Sequence, residues 1–127
     1  MITRFAHQRL DAYHLSLELF SAVEALAARL PRGHSELKDQ LRRAVGATVR
    51  NIAEGANRMH PKDKAARFIV ARAECAECDA SLEMIGVLGL GEARRLRTMA
   101  DRVAAMLWGL IKRENARVAG SRIGAPP

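Results

Sequence analysis

Cys75 and Cys78, in the stretch ECAEC, have the C-x-x-C spacing used by metal-binding and redox sites. A structural zinc site needs about four ligands, and no second Cys/His pair stands at a matching spacing. A redox C-x-x-C normally accompanies a βαβ pattern, which this chain lacks. Both cysteines fall instead on a three-four apolar repeat with Phe68, Ala71, Leu82 and Ile85, so they read as small core hydrophobes. His7, His14, His34 and His60 are scattered and assemble neither a nucleophile triad nor an H-E-x-x-H pair. Glu74, Glu77, Asp79 and Glu83 raise the idea of a carboxylate di-metal bundle. That site wants a Glu-x-x-His unit on two helices, and none occurs. There is no glycine-rich phosphate loop. No enzymatic activity, no metal and no cofactor are expected.

A second polar cluster is NIAEGANR, Asn51 to Arg58. An amide, a carboxylate, a glycine and a guanidinium share one stripe beside the apolar positions Ile52 and Ala56. Glu54 and Arg58 stand four apart in the favourable acid-before-base order, worth about 0.2–0.5 kcal/mol when exposed. Gly55 lets a neighbouring backbone come close. The cluster is an ordinary polar helix end, or a hydrogen-bonded contact between helices or subunits.

Four amphipathic helices must position these groups. The first spans about 10–30, with Leu10, Tyr13, Leu17, Phe20 and Ala27 on its main stripe and Leu15, Leu19, Val23 and Leu26 widening it. Pro31 and Gly33 stop it, and Ser35 suits the N-cap of the next. The second spans about 36–58, its inner face being Leu37, Leu41, Ala44, Val45, Thr48, Ile52 and Ala56. The third spans about 61–88, with Pro61 in its first turn. The fourth spans about 92–115, with Leu96, Met99, Val103, Met106 or Leu107, and Leu110 on one face. The first eight residues read as extended, and 116–127, rich in Gly, Pro and Ser, as a flexible tail.

The chain has 127 residues, enough for one domain, here 1–115. Ala and Leu dominate the apolar content and aromatics are only 4%, which suits helices rather than sheets. Short turns between long helices imply antiparallel neighbours, hence an all-α, up-down-up-down four-helix bundle. Apolar faces on helices one, three and four are wider than one inward stripe needs. The surplus is either a thick core or a surface buried between subunits. No run approaches the about 18 apolar residues of a membrane span. The opening MITRFAHQRL has no signal-like apolar stretch, so a cytoplasmic protein without membrane association is expected.

Net charge is +7, and its distribution is more informative than its size. In an up-down bundle the N-terminus, the second turn and the C-terminal end share one pole. Residues 1–9 carry Arg4 and Arg9, net +2. Residues 50–67 carry Arg50, Arg58, Lys62, Lys64 and Arg67 against Glu54 and Asp63, net +3. Residues 109–127 carry Lys112, Arg113, Arg117 and Arg122 against Glu114, net +3. Phosphate backbones are the natural ligand of such a pole. Alternatively, some of these cations only complement helix C-termini. Phe5 is the one aromatic near this pole outside the helical seams. Recognition by backbone and shape is therefore expected, rather than base reading on aromatic platforms. The candidate nucleic-acid contacts are Arg50, Arg58, Lys62, Lys64, Arg67, Lys112 and Arg113.

QLRRAVGATVRNIAEGANR, residues 40–58, resembles the signature of the small bacterial four-helix bundles called the S23 or 23S rRNA intervening-sequence protein family. KAARFIVARAECAECDASL, residues 64–82, is similar to that family's third helix. The resemblance covers roughly 5–113. It implies a bundle that associates as a ring-like homopentamer. A related branch is the accessory variability determinant of diversity-generating retroelements, a basic pentameric barrel that binds nucleic acid and a reverse transcriptase. The matching positions are Arg43, Asn51, Glu54, Gly55, Phe68 and Glu77 with Arg58, and they look structural or interfacial. Two readings follow. One is a non-enzymatic homo-oligomer that binds RNA, DNA or a nucleic-acid–protein complex through the basic pole. The other is a protein-interaction scaffold without a nucleic-acid role, its charge serving solubility or an acidic protein partner. A reverse transcriptase or another protein is a candidate partner.

Overall fold

A computed structural model describes the backbone of residues 5–123 and the side chains through residue 121. Four helices, α1 (Asp11–Arg29), α2 (Ser35–Asn57), α3 (Pro61–Val87) and α4 (Arg94–Ile123), follow a short 3-10 turn at Ala6–Arg9. Among the described residues there is no strand. None of these helices is long and apolar enough to cross a membrane.

The breakers act where their chemistry predicts, give or take a residue. Gly33 and Gly89 take positive φ, 99° and 68°, in the turns after α1 and α3, where a Cβ would be strained. Pro61 opens α3, as expected. Ser35 is the first residue of α2 rather than its cap; His34 holds the cap position, and no side chain closes it. α4 begins at Arg94, two residues later than expected, because Glu92 remains outside the helix. Its Oε1 accepts the Arg94 amide at 2.7 Å, satisfying one orphan donor of the first turn.

The described stretches next to both ends take regular structure: a 3-10 turn at Ala6–Arg9 where an extended start is expected, and helix through Ile123. The amide of Ala6 donates to Asn57 Oδ1 at 3.0 Å, which ties the N-terminal turn to the end of α2. α4 runs through 116–123 despite Gly120, so the helix covers most of the segment read as a flexible tail. Arg117 reaches back to Glu114 at 2.6 Å and supports that last stretch. Residues 1–4, with Arg4, the side chain of Arg122, and residues 124–127 lie outside the description.

α2 packs on α3 and α3 on α4, while α1 lies against both α2 and α4. The core is one cluster. From α2 it takes Leu41, Ala44, Val45, Ile52 and Ala56, and from α3 Phe68, Ala71, Cys75, Cys78, Leu82 and Ile85. α4 contributes Leu96, Ala100, Val103, Leu107 and Ile111, leaving Met99, Met106 and Leu110 half-buried. α1 inverts the expected order. Leu15, Leu19, Val23 and Leu26 form the buried stripe, whereas Leu17 and Phe20 are 38% and 39% exposed. Both stripes are apolar, and contact with two neighbours selects the one centred on Leu19.

Candidate functional site

NIAEGANR lies at the contact of α2 with α3. Gly55 is buried, and Phe68 of α3, itself 1% exposed, sits directly over it. Asn51 donates to the Ala47 carbonyl at 2.8 Å and accepts from Arg67 Nη1 at 3.5 Å. Glu54 pairs with Arg58 one turn on, and with Arg67 across the helices at 3.8 Å. Further along the same seam Arg43 reaches Glu74 at 3.8 Å and Glu77 at 3.7 Å, and it donates to Gln40 at 2.9 Å. Burial, with Glu77 alongside, pushes the Glu74 carboxyl above its ordinary range. These polar residues lace two helices together around a close approach that only glycine allows.

Four chain segments meet where several of the expected cations gather. A cavity of about 300 Å³ is lined by Arg9 from the N-terminal turn, Ala56 from the end of α2, Lys64 from the start of α3, and Arg113, Glu114 and Arg117 from α4. The sequence-predicted cations divide here into two groups. Arg58 and Arg67 are held by Glu54, Arg113 lies 4.0 Å from Glu114, and Lys64 donates to the Ala56 carbonyl at 2.6 Å. Lys64 thus satisfies an orphan carbonyl at the end of α2, the helix-end role weighed against ligand binding. Arg50, Lys62 and Lys112 have no carboxylate within 4.0 Å among the described residues, and all three are exposed. The Arg50 guanidinium folds back over Gly46, and Lys112 lies over the indole of Trp108.

Three features escape sequence reasoning. Glu114 is fully buried, with Arg117 Nη1 at 2.6 and 3.2 Å from its two oxygens. Its signal was present: continuing the seam through Val103, Leu107 and Ile111 by three residues lands on Glu114. Asn57, last residue of α2, holds the N-terminal turn through Ala6 and lies 2.8 Å from His7 Nδ1. Trp108 is 51% exposed. Directly after Leu107 in the chain, it stands about 100° round the helix from that buried residue and points outward, so Phe5 is not the only free aromatic near the expected cations.

Cys75 and Cys78 are buried in the core, and the Cys75 thiol donates to the Ala100 carbonyl at 3.2 Å. Burial pushes Cys75 up to about 11 and Cys78 up to about 12, so both are neutral thiols at physiological pH. A concavity of about 790 Å³ lies between the second half of α3 and the first half of α4, away from the cavity of Arg9, Lys64 and Arg113. On its wall Arg97 bridges Asp79 at 2.9 Å and Glu83 at 3.2 Å, an exposed network that satisfies its own charges.

Residues 8–109 match the family model described as 23S rRNA-intervening sequence protein. No curated protein matches the chain.

Proposed function

The chain belongs to the 23S rRNA-intervening sequence protein family, and on that premise we propose a non-enzymatic cytoplasmic homo-oligomer that binds RNA or DNA through its basic pole. One observation carries the reading: Arg9, Lys64, Arg113 and Arg117 come from three separate segments to a single cavity, with one buried carboxylate among them. Arg50, Lys62 and Lys112 add exposed charge on the same helices or next to them. A pole of this kind offers phosphates many weak contacts and no base-specific pocket.

The assembly belongs to the same proposal: an up-down-up-down antiparallel bundle closing into a ring-like homopentamer. Antiparallel order is supported by the cross-helix pairs. Arg43 meets Glu77 while Lys64 meets Ala56, and Arg97 meets Asp79 while Arg72 meets Ala104. A closed ring needs two different surfaces on each subunit. Leu17 and Phe20 of α1 supply one, and Met84, Val87 and Leu88 at the end of α3 supply the other.

The test is binding to generic RNA and DNA oligomers at two salt concentrations. Wild type is expected to bind at low salt and weaken steeply as salt rises. Replacing Arg50, Lys62 and Lys112 by Ala should lower the slope of log K against log salt by about one for each phosphate that is no longer neutralised. Replacing Arg97, at the other end, should change nothing. Undetectable binding at low salt overturns the reading. A groove of about 680 Å³ beside Met84, Leu88 and Leu37 favours a second reading, a protein scaffold. A specific partner retained after nuclease treatment would mark it.

A further inference from the structure

We infer that Trp108, with Arg72 and Lys112, is a stacking platform for an unpaired base of a single-stranded nucleic acid. The inference rests on the nucleic-acid reading above and sharpens it from phosphate binding to single-strand preference.

Trp108 is the chain's only tryptophan. It lies on the outer side of α4, 51% exposed, whereas Leu107 beside it is fully buried. Two cations lie over its ring, Arg72 Cζ 5.8 Å from the centroid and Lys112 Nζ 5.7 Å, so a stacking base takes the place of one of them. Arg72 comes from α3, and its Nε donates to the Ala104 carbonyl at 3.3 Å, which fixes the guanidinium across the α3–α4 groove. Neither cation has a carboxylate within 4.0 Å among the described residues. One turn beyond the Arg72–Ala104 pair, the register brings position 68 beside position 108. Ile69, next in line, is also 51% exposed.

The parts are those that single-strand binding uses: a half-exposed aromatic ring that accepts any base, and two unneutralised cations at that ring to pair with phosphates. A duplex keeps its bases stacked within the helix and cannot present one to a convex helical surface. Charge continuity supports the same occupant, because Lys112 belongs both to the indole's surroundings and to the basic pole. A strand laid along α4 would keep phosphate contacts at the pole while one base lies on Trp108.

The full chain is titrated with an oligouridylate, a duplex of equal length, and inorganic polyphosphate. Two signals are followed: anisotropy of the labelled oligomer and emission of Trp108. The single strand is expected to bind and quench the indole, while polyphosphate binds without that quench. Trp108→Ala should weaken the single strand about 5- to 150-fold and leave duplex and polyphosphate affinity unchanged, with Trp108→Phe retaining most of the binding. Circular dichroism checks that the variants stay helical. Single-strand binding with no quench and no loss in Trp108→Ala overturns this inference and leaves the nucleic-acid reading standing. Absence of any nucleic-acid binding overturns both. An indole shielded from acrylamide in the free protein would show that a second copy covers it, and would overturn the platform alone.

Discussion

Phe68 fills the space that a side chain on Gly55 would need: a Cβ there would lie 2.8 Å from two ring atoms, Cδ1 and Cε1. Gly55→Ala should therefore destabilise by about 1–3 kcal/mol, although Ala outranks Gly in a helix by about 1 kcal/mol. Gly46 is the internal control. Its added Cβ would meet, at 3.0 Å, only the end of the flexible Arg50 side chain, so Gly46→Ala should be neutral or stabilising. Chemical denaturation of both variants, and of Gly55→Ala combined with Phe68→Leu, tests the assignment. The smaller ring-free side chain should restore part of the loss.

The buried carboxylate at the pole makes an asymmetric pair. Glu114 is wholly buried, whereas the Arg117 side chain is 54% exposed. Removing Arg117 leaves a buried acceptor with weakened compensation, while removing Glu114 leaves a cation that water can solvate. Arg117→Ala should therefore cost more stability than Glu114→Met, which also fills the space. The difference is expected at about 1–2 kcal/mol after discounting for the exposure of Arg117, read from urea midpoints. Equal losses would remove the asymmetry.

Alkaline pH should destabilise the fold through the two core thiols. An unfolded thiol ionises near 9.0, whereas Cys75 in the folded chain is pushed up to about 11 and Cys78 up to about 12. Burial favours the protonated form, so the stabilising contribution is complete below pH 9 and is lost as pH rises toward the folded values. Each thiol adds at most about 1.4 kcal/mol per pH unit to that decline. Unfolding free energy measured from pH 8 to 10.5 should fall, and Cys75→Ala with Cys78→Ala should flatten the curve while lowering its plateau. Rapid labelling of the native thiols at pH 8 would contradict their burial.

Val87 and Leu88 are 81% and 55% exposed, so charge there should not disturb the subunit's own core. If this surface seats the neighbouring subunit, Val87→Glu with Leu88→Glu should dissociate the ring. Sedimentation would then show a mass near the single 14.0 kDa chain, against about five times that for wild type. Circular dichroism should be unchanged. A wild-type mass near one subunit would sink the assembly outright.

The α3 core was legible because Phe68, Ala71, Cys75, Cys78, Leu82 and Ile85 keep an unbroken three-four spacing along that helix. Gly55 was legible as a close approach because a glycine at the edge of an apolar face has few other uses. α1 was not legible in the same way: it has two adjacent apolar stripes, and periodicity ranks neither. The basic segments could be counted from the residues alone. Their division into cations engaged by Glu54, Glu114 and the Ala56 carbonyl, and cations left exposed, could not.

Composition and periodicity by themselves determined four helices, the approximate ends of the first three, the burial of both cysteines and the clustering of charge on particular segments. These properties depend on near neighbours along one chain axis, where spacing of three and four residues has a single geometric meaning. Only the tertiary structure decided which α1 stripe faces inward, that Glu114 is sealed beside Arg117, and that Trp108 stands outside with Arg72 of another helix across it. Those outcomes depend on the rotation of each helix about its axis. That rotation is set by what its neighbours bury, and Phe68 over Gly55 is one of the contacts that constrain it for α2 and α3.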